Sequence, residues 1–456
     1  MDEPRVAFHT FGCKLNQYET EALASAFRSH GFRVVDEREE ADVHVINTCT
    51  VTARADHKAR RLIRAVAHRR PDEPVIVTGC SAQTEAEALA SLAENVVVVP
   101  QSAKARLLEV PAVLVGAGQA GAGQAGESRV KALRTALAAD VLAARSDPFA
   151  LVAGDYSFHT RAFLKIQDGC NCLCAYCRVP LARGGSVSLD LDEVLRRASE
   201  LETRGYREIV LTGVNVSAWR SVGGLGLADL LQRLVGVTER ARFRITSLEP
   251  EAITADLVSA LSHPRICPHF HIPVQSGSDV VLLRMKRRYR AQAVFDGVRA
   301  LRAARDDPFV AADILAGFPG ETPEDHARTV GLLRSLEFAA VHVFPFSARP
   351  GTAAAGMRPF VPERVRGERA REVSALAGEL GAAYARRWVG RQVDVLLEGG
   401  AARHRSAGST RGVSENYLKV EVHGIPEGKA MPGLIARAEI TAAGTVSSAA
   451  FIRFLG

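Results

Sequence analysis

The sequence predicts an α/β protein in three folded parts. These are an amino-terminal doubly wound parallel α/β domain, a (βα)6 partial barrel and a small C-terminal antiparallel β-barrel. Three observations carry that prediction. Residues 5–100 alternate short apolar runs with helical stretches. Residues 156–388 repeat the alternation in longer units. Residues 389–456 break into short alternating strands between glycine-rich turns. Strand then helix, repeated, is the pattern of a parallel sheet, and short strands at close spacing are that of a small barrel. A chain of 456 residues is also too long for one ordinary core. The expected domains are 1–115, a linker at 116–155, then 156–388 and 389–456.

In the first domain, "VAFHTF", "FRVVD", "VHVINT", "VIVTG" and "NVVVVP" read as buried strands. Helices are expected near 17–30, 53–69 and 84–93. After them comes "GAGQAGAGQAGE", a tandem repeat of GAGQA at 116–120 and 121–125. A phosphate loop would need a strand before it and a GKS or GKT ending, and neither is there. The stretch reads as a Gly/Ala-rich linker, with a loose helix over 128–147.

The barrel strands are "AFLKIQ", "EIVLTGV", "RFRITSL", "HFHIPVQ", "VAADILAGF" and "VHVFPFS", each followed by a helical segment. Such barrels carry their chemistry at the C-terminal ends of the strands. Residues 361–388, rich in Arg, Glu and Ala at helical spacing, close the barrel or connect it onward. The last domain offers "VGRQVDVLLEG", "YLKVEVHG", "GLIARAEITAA" and "FIRFLG". Its eight basic and six acidic residues nearly balance.

Hydrophobic content of 47% and charged content of 24% describe a globular protein. The net charge of +7 favours a polyanionic partner such as nucleic acid, although the excess is spread over a long chain. The start, "MDEPRVAF", has no charged region followed by an apolar one. No apolar run approaches the roughly 18 residues of a membrane span. The expectation is a cytoplasmic protein with no membrane partner, whose cysteines stay reduced and serve as metal ligands or redox groups.

Four of the eight cysteines crowd into "DGCNCLCAYCRVP". Cys170, Cys174 and Cys177 have CxxxCxxC spacing. Three thiolates on one tight loop can hold three irons of a [4Fe-4S] cluster and leave the fourth open to a substrate. A zinc loop would need a fourth ligand nearby and usually pairs CxxC units. The loop follows "AFLKIQ", which sets it at the barrel mouth. Cys172 reads as a small side chain pointing away, and Cys267 as a core residue. Small and polar residues stand at the other strand ends: Gly213 and Asn215, Ser247 and Glu249, Gln275 and Ser276, Asp313 and Gly317. Small and polar groups at such ends suit a bound ligand.

The other cysteines show a second pattern. Cys13 follows "VAFHTFG", Cys49 follows "VHVINT" and Cys80 follows "VIVTG". All three stand just past a predicted parallel strand, and in an open α/β sheet those ends share one edge. Neighbouring helix N-termini favour thiolates there. A second iron–sulfur cluster and a three-ligand zinc site both fit the arrangement.

The cysteine loop, with the aromatic Tyr176 before its last cysteine, resembles that of radical S-adenosylmethionine (SAM) enzymes. The domain order, over nearly the whole chain, is similar to that of the methylthiotransferases, whose last domain is an RNA-binding TRAM module. The resemblance implies two [4Fe-4S] clusters. One, on Cys170, Cys174 and Cys177, would cleave SAM to a 5′-deoxyadenosyl radical. The other, on Cys13, Cys49 and Cys80, would carry the sulfur that is methylated and transferred. SAM would be bound by Tyr176, Gly213, Asn215, Ser247, Glu249, Gln275, Ser276 and Asp313. The implied partners are tRNA, an electron donor such as flavodoxin or ferredoxin, and a sulfur donor.

"GCKLNQYET" at the first cysteine resembles the branch acting on N6-threonylcarbamoyladenosine beside the tRNA anticodon. The isopentenyladenosine branch usually has "GCQMN" there, and the branch modifying a ribosomal-protein aspartate differs again. "FPFSARPGT" and "ENYLKV" point the same way. One departure stands out. Where the family often has ARGRSRSR, this chain has "LARGGSVSLD", which keeps Arg183 and lacks the later arginines. If those contact phosphate, RNA affinity is lower or comes from elsewhere. The competing readings are the same chemistry on the other two substrates, and a non-catalytic iron–sulfur RNA-binding redox sensor. The polar strand ends argue against a sensor.

Overall fold

The computed structural model describes residues 3–50, 53–118, 125–138, 146–154, 156, 159–399, 409–426 and 428–455. The chain divides into two compact units. The first takes Met1–Phe158 with Asp168–Asn171 and Cys177–Ser186, and the second takes His159–Gln167, Cys172–Tyr176 and Val187–Gly456.

The first unit holds a parallel sheet of five strands: β1 (Arg5–Thr10), β2 (Arg33–Val35), β3 (Val43–Thr48), β4 (Val75–Gly79) and β5 (Val96–Val98). Their order is β2-β1-β3-β4-β5. Every residue of β3 and β4 is buried, as near-continuous apolar strands covered on both faces must be. Helices Lys14–Ser29 and Ala53–Arg69 lie near their expected positions. The helix expected near 84–93 is two short ones, Cys80–Thr84 and Ala86–Ala90. Glu85 separates them with non-helical angles, φ −147° and ψ 37°.

Part of the expected linker is helical. Helix Val110–Gly118 reaches the repeat, and helix Ala125–Ala138 follows it; residues 119–124 of the repeat lie outside the described residues. Leu133 and Leu137 of the second helix are buried. Arg106 closes its end by donating to the carbonyls of Ala136 (2.6 Å) and Leu137 (3.3 Å), where a helix leaves acceptors unsatisfied. The surrounding glycines and alanines mask this apolar stripe in the sequence.

In the second unit six parallel strands follow in chain order: β6 (Ala162–Lys165), β9 (Glu208–Thr212), β10 (Arg242–Ile245), β11 (His269–Gln275), β12 (Phe309–Ala316) and β13 (Ala340–Pro345). Two-residue strands β7 (Gln167–Asp168) and β8 (Val187–Ser188) pair separately. The ladders β6-β9-β10 and β11-β12-β13 are joined by single bridges, Phe243 to Ile266 and Ser247 to His271. This is the expected partial barrel. Helix Glu363–Arg387 then leads into a closed barrel of β14 (Gln392–Leu397), β15 (Ser409–Ser414), β16 (Lys419–His423), β17 (Ile435–Ala442) and β18 (Ser447–Leu455). Two expectations for it needed correction. It has a fifth strand, β15, hidden in the weakly apolar "STRGVS", and β16 pairs with β18 in parallel.

One buried ion network ties the partial barrel to the small one. Glu208 on β9 accepts from Arg242 Nε (2.8 Å) and from Arg244 Nε (2.7 Å) and Nη2 (3.0 Å). The same guanidiniums donate to the carbonyls of Asp394, Ser414 and Glu415. Burial alone would raise the Glu208 carboxyl, but Arg244 and Arg242 outweigh it and hold the group well below the usual carboxylate range. Its contribution to stability is therefore present above the ordinary carboxylate pKa and is lost as pH falls. Glu208→Gln leaves two buried cations short of an anion. Chemical denaturation at pH 7 should show a loss of about 3–5 kcal/mol, and the gap from wild type should narrow below about pH 4.5.

Candidate active site

Cys13, Cys49 and Cys80 follow β1, β3 and β4, which are neighbours in the sheet. The connecting turns are laced tightly. Asn16, in the first turn of helix Lys14–Ser29, donates to the carbonyls of Phe11 (2.7 Å) and Thr48 (2.9 Å). Thr48 Oγ1 donates to the Thr78 carbonyl (2.6 Å), and Ser81 Oγ to that of Cys49 (2.9 Å). Glycines permit this closeness. Gly12 has φ +102°, and a Cβ there would lie 2.7 Å from Cys49 Sγ. Gly79 has φ +95°, and a Cβ there would lie 2.3 Å from the Thr48 carbonyl oxygen. Only glycine fits such a left-handed, crowded turn. The three cysteines thus stand at one edge of the sheet, Cys13 exposed and the other two buried.

A charge cluster lies under this edge. Arg183 Nη1 donates to Glu19 (2.8 Å) and Asp168 (3.0 Å), and its Nη2 to Asn16 Oδ1 (2.8 Å). Lys104 Nζ pairs with Glu19 and donates to Asn47 Oδ1 (2.9 Å). Glu19 and Lys104 are fully buried, and Arg183 and Asp168 nearly so. Burial pushes the Cys80 thiol up, while Arg183 and Lys104 pull it down and the Cys13 sulfur raises it. Burial here overrides the thiolate preference expected from helix N-termini. A metal bound at these sulfurs would displace the protons.

The cysteine loop contributes Cys170 and Cys177 to the first unit and Cys174 to the second. Within the first unit, Cys170 N donates to the Gly184 carbonyl (3.0 Å), and Val179 N to Cys177 Sγ (3.4 Å). Arg178, beside Cys177, donates to Thr50 Oγ1 (2.9 Å), beside Cys49, and to Glu85 (2.6 Å). None of the eight cysteines forms a disulfide.

Within the second unit, Cys174 Sγ accepts from Arg287 Nη1 at 3.1 Å. Arg287 also pairs with Glu249. Burial pushes the Glu249 carboxyl up to about 7, against the pull of Arg287. Tyr176 packs edge-on to Phe318, with ring centroids 6.4 Å apart. Gly213 sits against Gln167, where a Cβ would be 2.9 Å from Oε1. That oxygen accepts from Asn215 N (2.8 Å), and Asn215 Nδ2 donates to Cys172 Sγ (3.6 Å). Asn215 Oδ1 is buried with no partner among the described residues. A buried acceptor in that condition can take a donor from a ligand or a water. Cys172 Sγ thus lies against Asn215, one of the expected SAM-binding residues, while Cys267 is buried.

Three other expected SAM contacts have partners of their own. Ser276 is buried, with its hydroxyl against Thr329 Oγ1 (3.2 Å). Ser247 and Asp313 are both joined to His271. Gln275 stands half-exposed beside a bulge at φ +62°. Sequence reading passed over Arg287, Arg178, Glu19, Lys104 and the histidines of β11 and β13. The run "MKRRYR" and the His at alternate positions of "HFHIPVQ" were the available signals.

Residues 164–333 match the Radical SAM superfamily, and residues 5–100 match the Uncharacterized protein family UPF0004. The fold is similar to that of a radical SAM methyltransferase, TsrM, from Kitasatospora setae. That likeness has a TM-score of 0.52 at 16% identity, over 77% of this chain and 74% of that one. The barrel and its cysteine loop define a radical SAM enzyme. A Treponema pallidum protein named threonylcarbamoyladenosine tRNA methylthiotransferase MtaB is 39% identical, over 91% of this chain and 94% of its own. A Cereibacter sphaeroides protein named tRNA-2-methylthio-N(6)-dimethylallyladenosine synthase is 34% identical, over 98% and 99%. The chain belongs to the radical SAM tRNA methylthiotransferase family. That membership implies SAM and a [4Fe-4S] cluster. No helix among the described residues is long and apolar enough to cross a membrane.

Replacing Arg183 with Met leaves Asp168 and part of Glu19 buried without their cation. Arg183→Met should lower unfolding free energy by about 3–5 kcal/mol. In a double-mutant cycle with Glu19→Gln, denaturant titration should give a coupling above about 1 kcal/mol.

Proposed function

We propose that this protein converts N6-threonylcarbamoyladenosine beside the tRNA anticodon to its 2-methylthio derivative. The observation that carries the reading is the position of Cys13, Cys49 and Cys80 just past three neighbouring parallel strands, in a chain that also holds a radical SAM barrel. Cys170, Cys174 and Cys177 would hold the cluster that binds SAM, and Cys13, Cys49 and Cys80 a second [4Fe-4S] cluster. When bound, these groups supply reductive cleavage of SAM and the sulfur to be transferred.

The chain's own side chains bind and orient. Arg287 donates to Cys174 Sγ and offsets negative charge at that sulfur. Glu249, held by Arg287, offers a carboxyl to an ammonium or a ribose hydroxyl. Asn215 Oδ1 offers its unpaired acceptor, and Gly213 leaves room for close approach of a nucleoside. Tyr176 wedges the loop against Phe318, and Gln275 completes the cofactor side. Ser276 shapes the loop through Thr329. Exposed Cys13 gives the first site a side open to RNA.

The substrate follows from "GCKLNQYET" and from the relatives named for threonylcarbamoyladenosine. The further partners are an electron donor of the flavodoxin or ferredoxin type and a sulfur donor. A cytoplasmic location goes with a tRNA substrate. The test is mass spectrometry of tRNA nucleosides from a strain lacking the gene. Methylthio-threonylcarbamoyladenosine should vanish and its unmodified precursor accumulate. The wild-type gene should restore it and a Cys13→Ala copy should not. An unchanged level in the deletion strain would refute the substrate.

A further inference from the structure

Strand register assembles a polar wall inside the partial barrel. Ser247, just past β10, bridges to His271 on β11. His271 is opposite Ala311 on β12, and Asp313 lies two residues further along, on the same face. Asp313 is in turn opposite His342 on β13. The wall lies on the accessible face. His271, Pro273 and Gln275 on β11, Asp313 and Leu315 on β12, and His342 and Phe344 on β13 are partly or well exposed. Ile272, Val274, Ala312 and Ile314 between them are buried.

The four side chains are coupled. Ser247 Oγ lies 2.9 Å from His271 Nδ1, and His271 Nε2 lies 2.9 Å from Asp313 Oδ1. The His271 and His342 ring centroids are 5.9 Å apart. One nitrogen or oxygen from each of His271, Asp313 and His342 falls within 4.8 Å of the others. A carboxylate only accepts, so the hydrogen-bond network puts the His271 proton on Nε2 and lets Nδ1 accept from Ser247. This chain of bonds leaves the second Asp313 oxygen as an acceptor. It also leaves the Ser247 lone pairs as acceptors, beside the His342 imidazole, a group that carries charge when protonated.

We propose that Ser247, His271, Asp313 and His342 form the wall that selects an adenosine whose N6 group carries hydrogen-bond donors and a carboxylate. The proposal rests on the threonylcarbamoyladenosine reading above. A threonylcarbamoyl group brings urea N–H groups and a hydroxyl for Asp313 and Ser247, and a carboxylate for a protonated His342. A dimethylallyl group brings only hydrocarbon. It would strip water from the wall and replace none of its hydrogen bonds, the situation in which a polar site discriminates most strongly. Relatives named for both adenosines match nearly the whole of this chain, so a feature finer than the fold must separate them.

The experiment uses the full-length, cluster-reconstituted enzyme and tRNA carrying either N6-threonylcarbamoyladenosine or N6-dimethylallyladenosine. The readout is the ratio of kcat/KM for the two, from mass spectrometry of the methylthio products. A ratio is insensitive to the fraction of folded protein. Wild type should favour the threonylcarbamoyl substrate. His342→Leu should lower the ratio by about tenfold or more, Asp313→Asn should lower it too, and His342→Gln should recover part of the loss. Ratios within twofold of wild type for both His342→Leu and Asp313→Asn would overturn the proposal. So would a stoichiometric divalent cation, found by metal analysis of wild type and lost in His342→Leu. Wild type that prefers the dimethylallyl substrate would overturn the substrate reading as well.

Discussion

Parallel strands run in one direction, so their carboxyl ends share an edge, and the amino-terminal unit depends on that constraint. Cysteines far apart in the chain come to one edge because β1, β3 and β4 are adjacent and in register, with Thr10 opposite Asn47 and Thr48 opposite Gly79. The edge is closed to anything larger than glycine at Gly12 and Gly79. Asn16, Thr48 and Ser81 fasten each turn to the next strand. The cysteines owe their placement to backbone topology, while these small polar residues fix it.

Buried charge does the second part of the work. Arg183 lies in the stretch where the family often has a run of arginines, yet here it is an internal strut between Glu19, Asn16 and Asp168. Arg178 likewise holds Thr50 and Glu85. Such pairs stabilise little in net terms but are costly to break, so they specify one arrangement of the turns. RNA-facing charge must come from other residues than Arg183. The Glu208, Arg242 and Arg244 network plays the same part in the second unit, tying barrel strands to the carbonyls of β14 and β15.

Much of this was legible in the sequence. The central strands of the first sheet are near-continuous apolar runs, which mark buried parallel strands, and the mixed strands of the partial barrel were legible from their alternation with helices. The cysteines were legible because their types and strand-end positions coincide. Helix Ala125–Ala138 was only partly anticipated, because its apolar stripe is diluted by alanine and glycine. Strand β15 was missed, because "STRGVS" has one strongly apolar residue. The polar strand-end residues were expected to contact SAM as a group, with no role for each. Ser276, Ser247 and Asp313 proved to have protein partners, and Arg287 was unseen. Register and pairing decide such roles, and neither is written in a single strand.

The proposed function requires a metal centre at the amino-terminal sheet edge, separate from the cysteine loop. Its most direct test is Mössbauer spectroscopy with iron and sulfide analysis on reconstituted Cys13→Ala/Cys49→Ala/Cys80→Ala protein, alongside 5′-deoxyadenosine formation. About half the wild-type iron should remain, all in one [4Fe-4S] species, with SAM cleavage retained. Full retention of iron would contradict it.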